Sequence, residues 1–197
     1  MSTTSTPKLY TWGESGNSYK VRLLASLLDV KLQEIEIDFP GAEHHSPEFL
    51  AINPKGTIPT LVNGDHVFTD SAAILIYLAG TYPDAGSVGT TSSWWSTNVV
   101  EQAHIVDWLA FTASSIQLGL GAARSILFHN PDGVSDEATS RRLVEAKTKA
   151  QKSLEMLQNR LEKENWLALG RPTIADVAVF VYVALAPSKK FPNPTVR

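Results

Sequence analysis

The order of hydrophobic patterns along residues 8–82 limits this chain's folding options more than any other feature. Lys8-Leu-Tyr-Thr-Trp12 is a short β-prone run that ends at Gly13. Tyr19 to Leu28 then sets Tyr19, Leu23, Leu24, Leu27 and Leu28 at helical spacing, and Lys31 to Asp38 alternates, with Leu32, Ile35 and Ile37 as its apolar members. Strand, helix and strand in that order predict a β-α-β unit. Beyond Pro40, Gly41 and Pro47, the segment Thr60 to Phe68 places Asn63-Gly64 between two β-prone runs, a hairpin signal that closes the sheet with two antiparallel strands. Asp70 opens a helix over Ala72 to Tyr82, carried by Ile74, Leu75 and Leu78 and stopped by Pro83.

The pattern then changes. Asp84 to Ser93 is a Gly/Ser/Thr stretch that reads as a linker, and nothing beyond it looks like a sheet. Asn98 to about Phe128 and Ser135 to about Asn165 are long helical patterns, the first expected to break near Gly119 and Gly121; Thr173 to Ala186 forms a third. Thr173-Ile-Ala-Asp176 resembles a capping box at its start. The expected layout is an α/β domain over residues 1–84, a linker over 85–93 and an all-α domain over 94–197.

Composition narrows the chemistry. None of the 197 residues is cysteine, which excludes disulfides, zinc–thiolate sites, iron–sulfur clusters and a cysteine nucleophile. A net charge of -3 with only 19% charged residues argues against a nucleic-acid partner, which demands clustered Lys and Arg. The polar N-terminus lacks the apolar core of a signal peptide, so a cytoplasmic protein is expected. Val177 to Pro187, the longest apolar run, is about half of the ~20 residues that cross a bilayer, so no membrane partner is expected. His44-His45 has no third ligand at helical or hairpin spacing, so no metal is expected either.

Three places carry candidate chemistry. In Ile58-Pro59, a cis bond would turn the Ile58 N–H and C=O outward, where a peptide-like ligand can pair with them as an added strand. Asp70-Ser71 sits where the first free N–H groups of a helix can receive a carboxylate, although Asp70 also suits a plain cap. Ser15 follows the first strand and precedes the first helix, where its hydroxyl is either an N-cap or a donor to a ligand; Asn17 and Ser18 are equally suited to capping.

In this order and spacing, Ser15 to Leu23, His44 to Leu61, Asp70-Ser71 and Thr173 to Asp176 resemble the cytosolic glutathione transferase family, over nearly the whole chain. The nearest patterns are its serine-type, theta- and zeta-like classes and related bacterial and fungal members. The resemblance implies a thioredoxin-like N-terminal domain, a helical C-terminal domain, glutathione as co-substrate with no other cofactor, and a homodimer. Glutathione's cysteinyl part would pair with Ile58 beside Pro59 and Thr57. Its γ-glutamyl carboxylate would lie on Ser71, with Asp70 near the ammonium. His44 would meet the glycine end, assisted by Lys55. Ser15 would donate to the thiol. The zeta pattern has a cysteine where this chain has Asn17, and some fungal and bacterial subgroups resemble an asparagine arrangement instead, which makes Asn17 the alternative donor.

A hydrogen bond to a charged group is worth about 1.5–3 kcal/mol, enough to lower a thiol pKa by roughly 1 to 2 units. Nucleophilicity falls with basicity, so positioning of the second substrate must supply the remaining rate. The implied activity is conjugation of glutathione to a small electrophile, in detoxification or small-molecule biosynthesis. The alternatives are a glutathione-dependent isomerase and a non-catalytic binding or assembly module of the same fold. Family members usually continue beyond the Thr173 helix, whereas Ser188 to Arg197 ends soon after it, so a shortened form with exposed apolar surface on Val177 to Leu185 is expected.

Overall fold

A computed structural model describes residues 6–82 and 94–186. The chain divides into two compact units, Met1–Thr97 and Asn98–Arg197. The expected linker and residues 188–197 lie outside the described residues.

In the first unit, β1 (Lys8–Thr11), α1 (Gly16–Leu27) and β2 (Gln33–Glu36) form the expected β-α-β unit, with β1 and β2 parallel. A 3-10 turn at Glu43–His45 and α2 (Pro47–Ile52) follow. Then β3 (Thr60–Asn63), β4 (His66–Phe68) and α3 (Ser71–Thr81) complete a mixed sheet of order β2-β1-β3-β4. The hairpin turns at Gly64, whose φ of 58° is the left-handed conformation that glycine adopts without penalty. Leu9 of β1 lies opposite Leu61 of β3, and both are fully buried with Val21 and Leu24 of α1 and Ile74, Leu75 and Leu78 of α3. Each such side chain contributes roughly 1.5–3 kcal/mol by leaving water.

Two local features differ from the sequence expectation. The buried face of α1 consists of Ser18, Lys20, Val21, Leu24 and Ala25, while Tyr19 and Leu27 are 40% and 44% exposed. Of the expected face, Leu24 and Leu28 are buried, while Tyr19 and Leu27 turn outward. The connecting segment also contains α2, which begins at a Ser46 cap that accepts from the Phe49 N–H and carries Pro47 in its first turn.

The second unit is all helical: α4 (Val99–Phe111), a π-helical stretch (Thr112–Gly121), α5 (Ala122–His129), α6 (Glu137–Leu161) and α7 (Ile174–Leu185). The expected break near Gly119 and Gly121 does not occur; the helical path continues to His129 but widens. Thr112 and Ser114 hydroxyls donate to the Trp108 and Ala110 carbonyls at the start of the wide stretch, where they compete with the main-chain ladder. Val99–His129 is long and apolar enough by composition to cross a membrane. Ile105, Leu109, Ile116, Leu120 and Ala123 along it are buried within the helical unit.

The capping box at Thr173 forms: Thr173 Oγ1 accepts from the Ala175 N–H, and Asp176 Oδ2 accepts from the Thr173 N–H at 2.8 Å. Asp176 Oδ1 also accepts from Leu167 at 2.9 Å, pinning the preceding loop. Most of α7 is buried, and its large exposed side chain is Phe180, at 52%.

Candidate active site

The loop between β1 and α1 folds back when the Ser15 N–H donates to the Trp12 carbonyl at 2.9 Å. Arg22 braces it by donating to the Gly13 carbonyl at 3.3 Å, while the Gly13 N–H donates to Glu36 Oε1 at 2.7 Å. Ser15 is the N-cap of α1, its Oγ accepting from the Ser18 N–H at 3.2 Å. That bond uses an oxygen lone pair and leaves the hydroxyl proton free to donate. Capping and donation to a ligand are therefore compatible at Ser15.

Asn17 stands in the first turn, half-buried. Its Oδ1 accepts from Lys20 Nζ at 2.9 Å, which leaves the amide NH2 as the end presented elsewhere. Lys20 itself is only 3% exposed. Burial pushes its pKa down to about 8, opposed by the negative charge of Asp70. Lys20 thus relates the start of α1 to the start of α3.

The corner before β3 is organised by Asn53, which is fully buried. Its Nδ2 donates to the Thr57 carbonyl at 2.8 Å and to Thr60 Oγ1 at 2.9 Å, and its Oδ1 accepts from the Lys55 N–H at 3.0 Å. Thr60 Oγ1 donates to the Thr57 carbonyl at 2.9 Å, and Thr57 Oγ1 reaches the Thr69 carbonyl at 3.4 Å. The corner is tied to β3 on one side and to the residue preceding Asp70 on the other. The Ile58–Pro59 bond is cis. No main-chain hydrogen bond engages the Ile58 N–H or C=O among the described residues, so this edge is open to an extended peptide.

Asp70 caps α3, with Oδ1 accepting from Ala72 and Ala73 at 2.8 and 3.3 Å, and its other oxygen takes part in neither bond. Ser71 is the half-buried first residue of that helix. The expected cap role of Asp70 is realised, and its exposure leaves the charge available to a ligand.

His44 sits differently from a solvent-facing contact residue. It is 8% exposed, and its ring stacks on Phe39 at 4.1 Å, with Trp12 on the other side of Phe39 at 4.9 Å and His45 beside His44 at 4.0 Å. Its Nδ1 is buried without a hydrogen-bond partner among the described residues, and burial together with His45 lowers its pKa below the usual histidine value. Lys55 is exposed. Among the described residues no three His, Asp or Glu side chains gather as a metal site would require.

Sequence reasoning missed Asn53 and Lys20. Asn53-Pro54-Lys55-Gly56 is a turn-forming string in which an Asn side chain commonly bonds to nearby main chain, a signal that was available. Lys20 carried only its spacing of three from Asn17, one helical turn away.

The first unit is a mixed four-stranded sheet with helices and an open edge at Ile58, and the second is all helical. Residues 5–80 match the family model for the glutathione S-transferase N-terminal domain, and residues 117–192 that for the glutathione S-transferase C-terminal domain. The chain is 30% identical over 166 residues to glutathione S-transferase 2 of Anopheles gambiae, covering 84% of this chain and 73% of that protein. A possible glutathione S-transferase from Rhodopseudomonas palustris superposes with a TM-score of 0.84 at 31% identity, over 97% of this chain and 88% of that one. The glutathione transferase URE2P6 of Phanerochaete chrysosporium, solved with oxidised glutathione, gives a TM-score of 0.75 at 27% identity, over 94% and 81% of the two chains. The chain belongs to the glutathione S-transferase family.

Proposed function

We propose that this chain, a glutathione transferase by family, holds glutathione across the Ile58 edge and transfers its sulfur to a small electrophile. The cysteinyl main chain pairs with Ile58, beside Thr57 and Pro59. The γ-glutamyl carboxylate lies on Ser71 and the first N–H groups of α3, and its ammonium faces Asp70. The glycine end lies toward His44 and Lys55. The thiol meets the two donors at the start of α1, the Ser15 hydroxyl and the Asn17 amide. Its proton leaves to solvent, the thiolate forms a C–S bond, and the leaving group departs with the bonding electron pair. We place the activity in the cytoplasm, in a homodimer, serving detoxification or a dedicated biosynthetic step.

The observation that carries this reading is a pair of donors on one turn, the Ser15 hydroxyl proton and the Asn17 NH2, each with its oxygen already engaged and itself unengaged among the described residues. Donors aimed at developing negative charge lower its energy most where they need no reorganisation.

Retention on immobilised glutathione, followed by conjugation with an aromatic halide, tests it. Retention without turnover across a broad electrophile panel would favour the binding-module alternative. Ser15→Ala and Asn17→Ala, compared by turnover and by the thiolate absorbance of bound glutathione against pH, assign the donor.

A further inference from the structure

We propose that Lys20 is the positioning residue of the thiol site, holding the Asn17 carboxamide so that its NH2 group and not its carbonyl faces the glutathione sulfur. The inference rests on the glutathione reading above and deepens it.

Lysine is almost never fully buried unless paired, and Lys20 is 3% exposed on a face of α1 that also carries Gly16, Ser18, Val21, Leu24 and Ala25. An apolar side chain would fill that place without the desolvation that pushes the amine down to about 8. The ammonium donates to Asn17 Oδ1 at 2.9 Å, and Asp70 is the charge that favours its protonated form.

An asparagine side chain has two chemically opposite ends of nearly equal shape. Its oxygen repels a thiolate and its NH2 attracts one, so a free Asn17 would sample both. An ammonium donates three hydrogen bonds and accepts none, so only the carbonyl end can face Lys20. The geometry fixes the amide in the sense a thiolate requires. The same charge polarises the amide and strengthens its N–H donors, as in other chained hydrogen bonds. Ser15, whose oxygen caps α1, has no comparable orienting partner among the described residues.

The test compares Lys20→Met, Lys20→Arg, Asn17→Ala and the Lys20→Met/Asn17→Ala double variant in the full chain. Lys20→Met should raise the pKa of the bound glutathione thiol by about 1 unit and, because the more basic thiolate is the better nucleophile, cut kcat roughly threefold below that pKa, with the KM for glutathione little changed. Lys20→Arg, also a pure donor, should recover most of both. The double variant should be no worse than Asn17→Ala alone. An unchanged thiol pKa in Lys20→Met, or additive losses in the double variant, overturns the proposal. A second readout needs no glutathione: the side-chain amide resonances of Asn17 in the free protein, assigned by their loss in Asn17→Ala. These should move toward disordered values in Lys20→Met. If they stay in place, Lys20 does not hold the amide. If the wild type fails to bind glutathione, the proposed function falls and this readout alone decides the role of Lys20.

Discussion

Gly119 and Ala150 meet so closely that a Cβ built on Gly119 would lie 2.7 Å from the Ala150 nitrogen and 2.9 Å from its Cα. Gly119 lies in the π-helical stretch and Ala150 in α6, and the buried cluster around them joins Ile116, Leu120, Leu157, Leu167, Val179 and Tyr182. Backbone cannot give way as a side-chain tip does. Gly119→Ala should therefore destabilise the protein by about 1–3 kcal/mol despite alanine's better helix propensity. At Gly121 the nearest atoms are side-chain atoms of Tyr182 and Gln117 at 3.2 and 3.4 Å, so Gly121→Ala should cost clearly less. Urea unfolding of the two variants checks the order, and equal losses would sink the close-approach account.

Asn53 holds together the corner that presents Ile58. Asn53→Ala removes the donor to the buried Thr60 Oγ1 and the acceptor of the Lys55 N–H, and leaves the Thr57 carbonyl with only the Thr60 hydroxyl of its two strong donors. One buried group left unpaired costs about 1–3 kcal/mol. The variant should unfold at lower denaturant, and its KM for glutathione should rise more than its kcat falls, because the corner binds the peptide and touches no reacting atom. Steady-state kinetics at saturating electrophile would show the split, and an unchanged KM would count against a binding role for the corner.

Asp70 combines a cap with a charge, and two substitutions separate them. Asp70→Ala removes both N–H acceptances and should cost about 0.5–2 kcal/mol in stability. Asp70→Asn keeps a capping oxygen and loses the charge, so the cap survives while stability at neutral pH falls through the loss of the charge that favours the Lys20 ammonium, and glutathione binding weakens. Calorimetric titration alongside thermal unfolding distinguishes the two. If Asp70→Asn binds glutathione like the wild type, the aspartate serves only as a cap.

How far the fold could be read from the sequence follows from how local each signal is. Asn63-Gly64, Asp70 and the Thr173 to Asp176 box act within four residues of themselves, and each marks the turn or helix start that the structure contains. The π-helical stretch is different, because it packs on α6 where Gly119 meets Ala150, a close approach between residues distant in sequence that no local pattern encodes. The same distinction runs through the site. Ser15 and Asp70 are recognisable as helix starts, whereas the burial of Lys20 and the ring column around His44 depend on what packs over them. Histidine and lysine both read as surface residues, and here both are buried.

Lys20 also predicts how stability depends on pH. Its pKa falls from the ordinary 10.5 to about 8 on folding. Below about pH 8 both the folded and unfolded chains hold the proton, and the folded state bears the full cost of the buried charge. Between about 8 and 10.5 the unfolded chain binds more protons than the folded one, so stability rises with pH across that window. The whole rise corresponds to about 3 kcal/mol. Tyr82 and Tyr182 act oppositely at higher pH: burial raises both above 10.0, so the stability they contribute is lost as pH climbs through their folded values. The window for Lys20 is therefore read between pH 8 and 10. Urea unfolding across it should show wild-type stability climbing and Lys20→Met staying flat, while Asp70→Asn, lacking the opposing charge, should begin its climb at lower pH. Parallel curves for wild type and Lys20→Met would mean that the amine is not a buried cation at neutral pH.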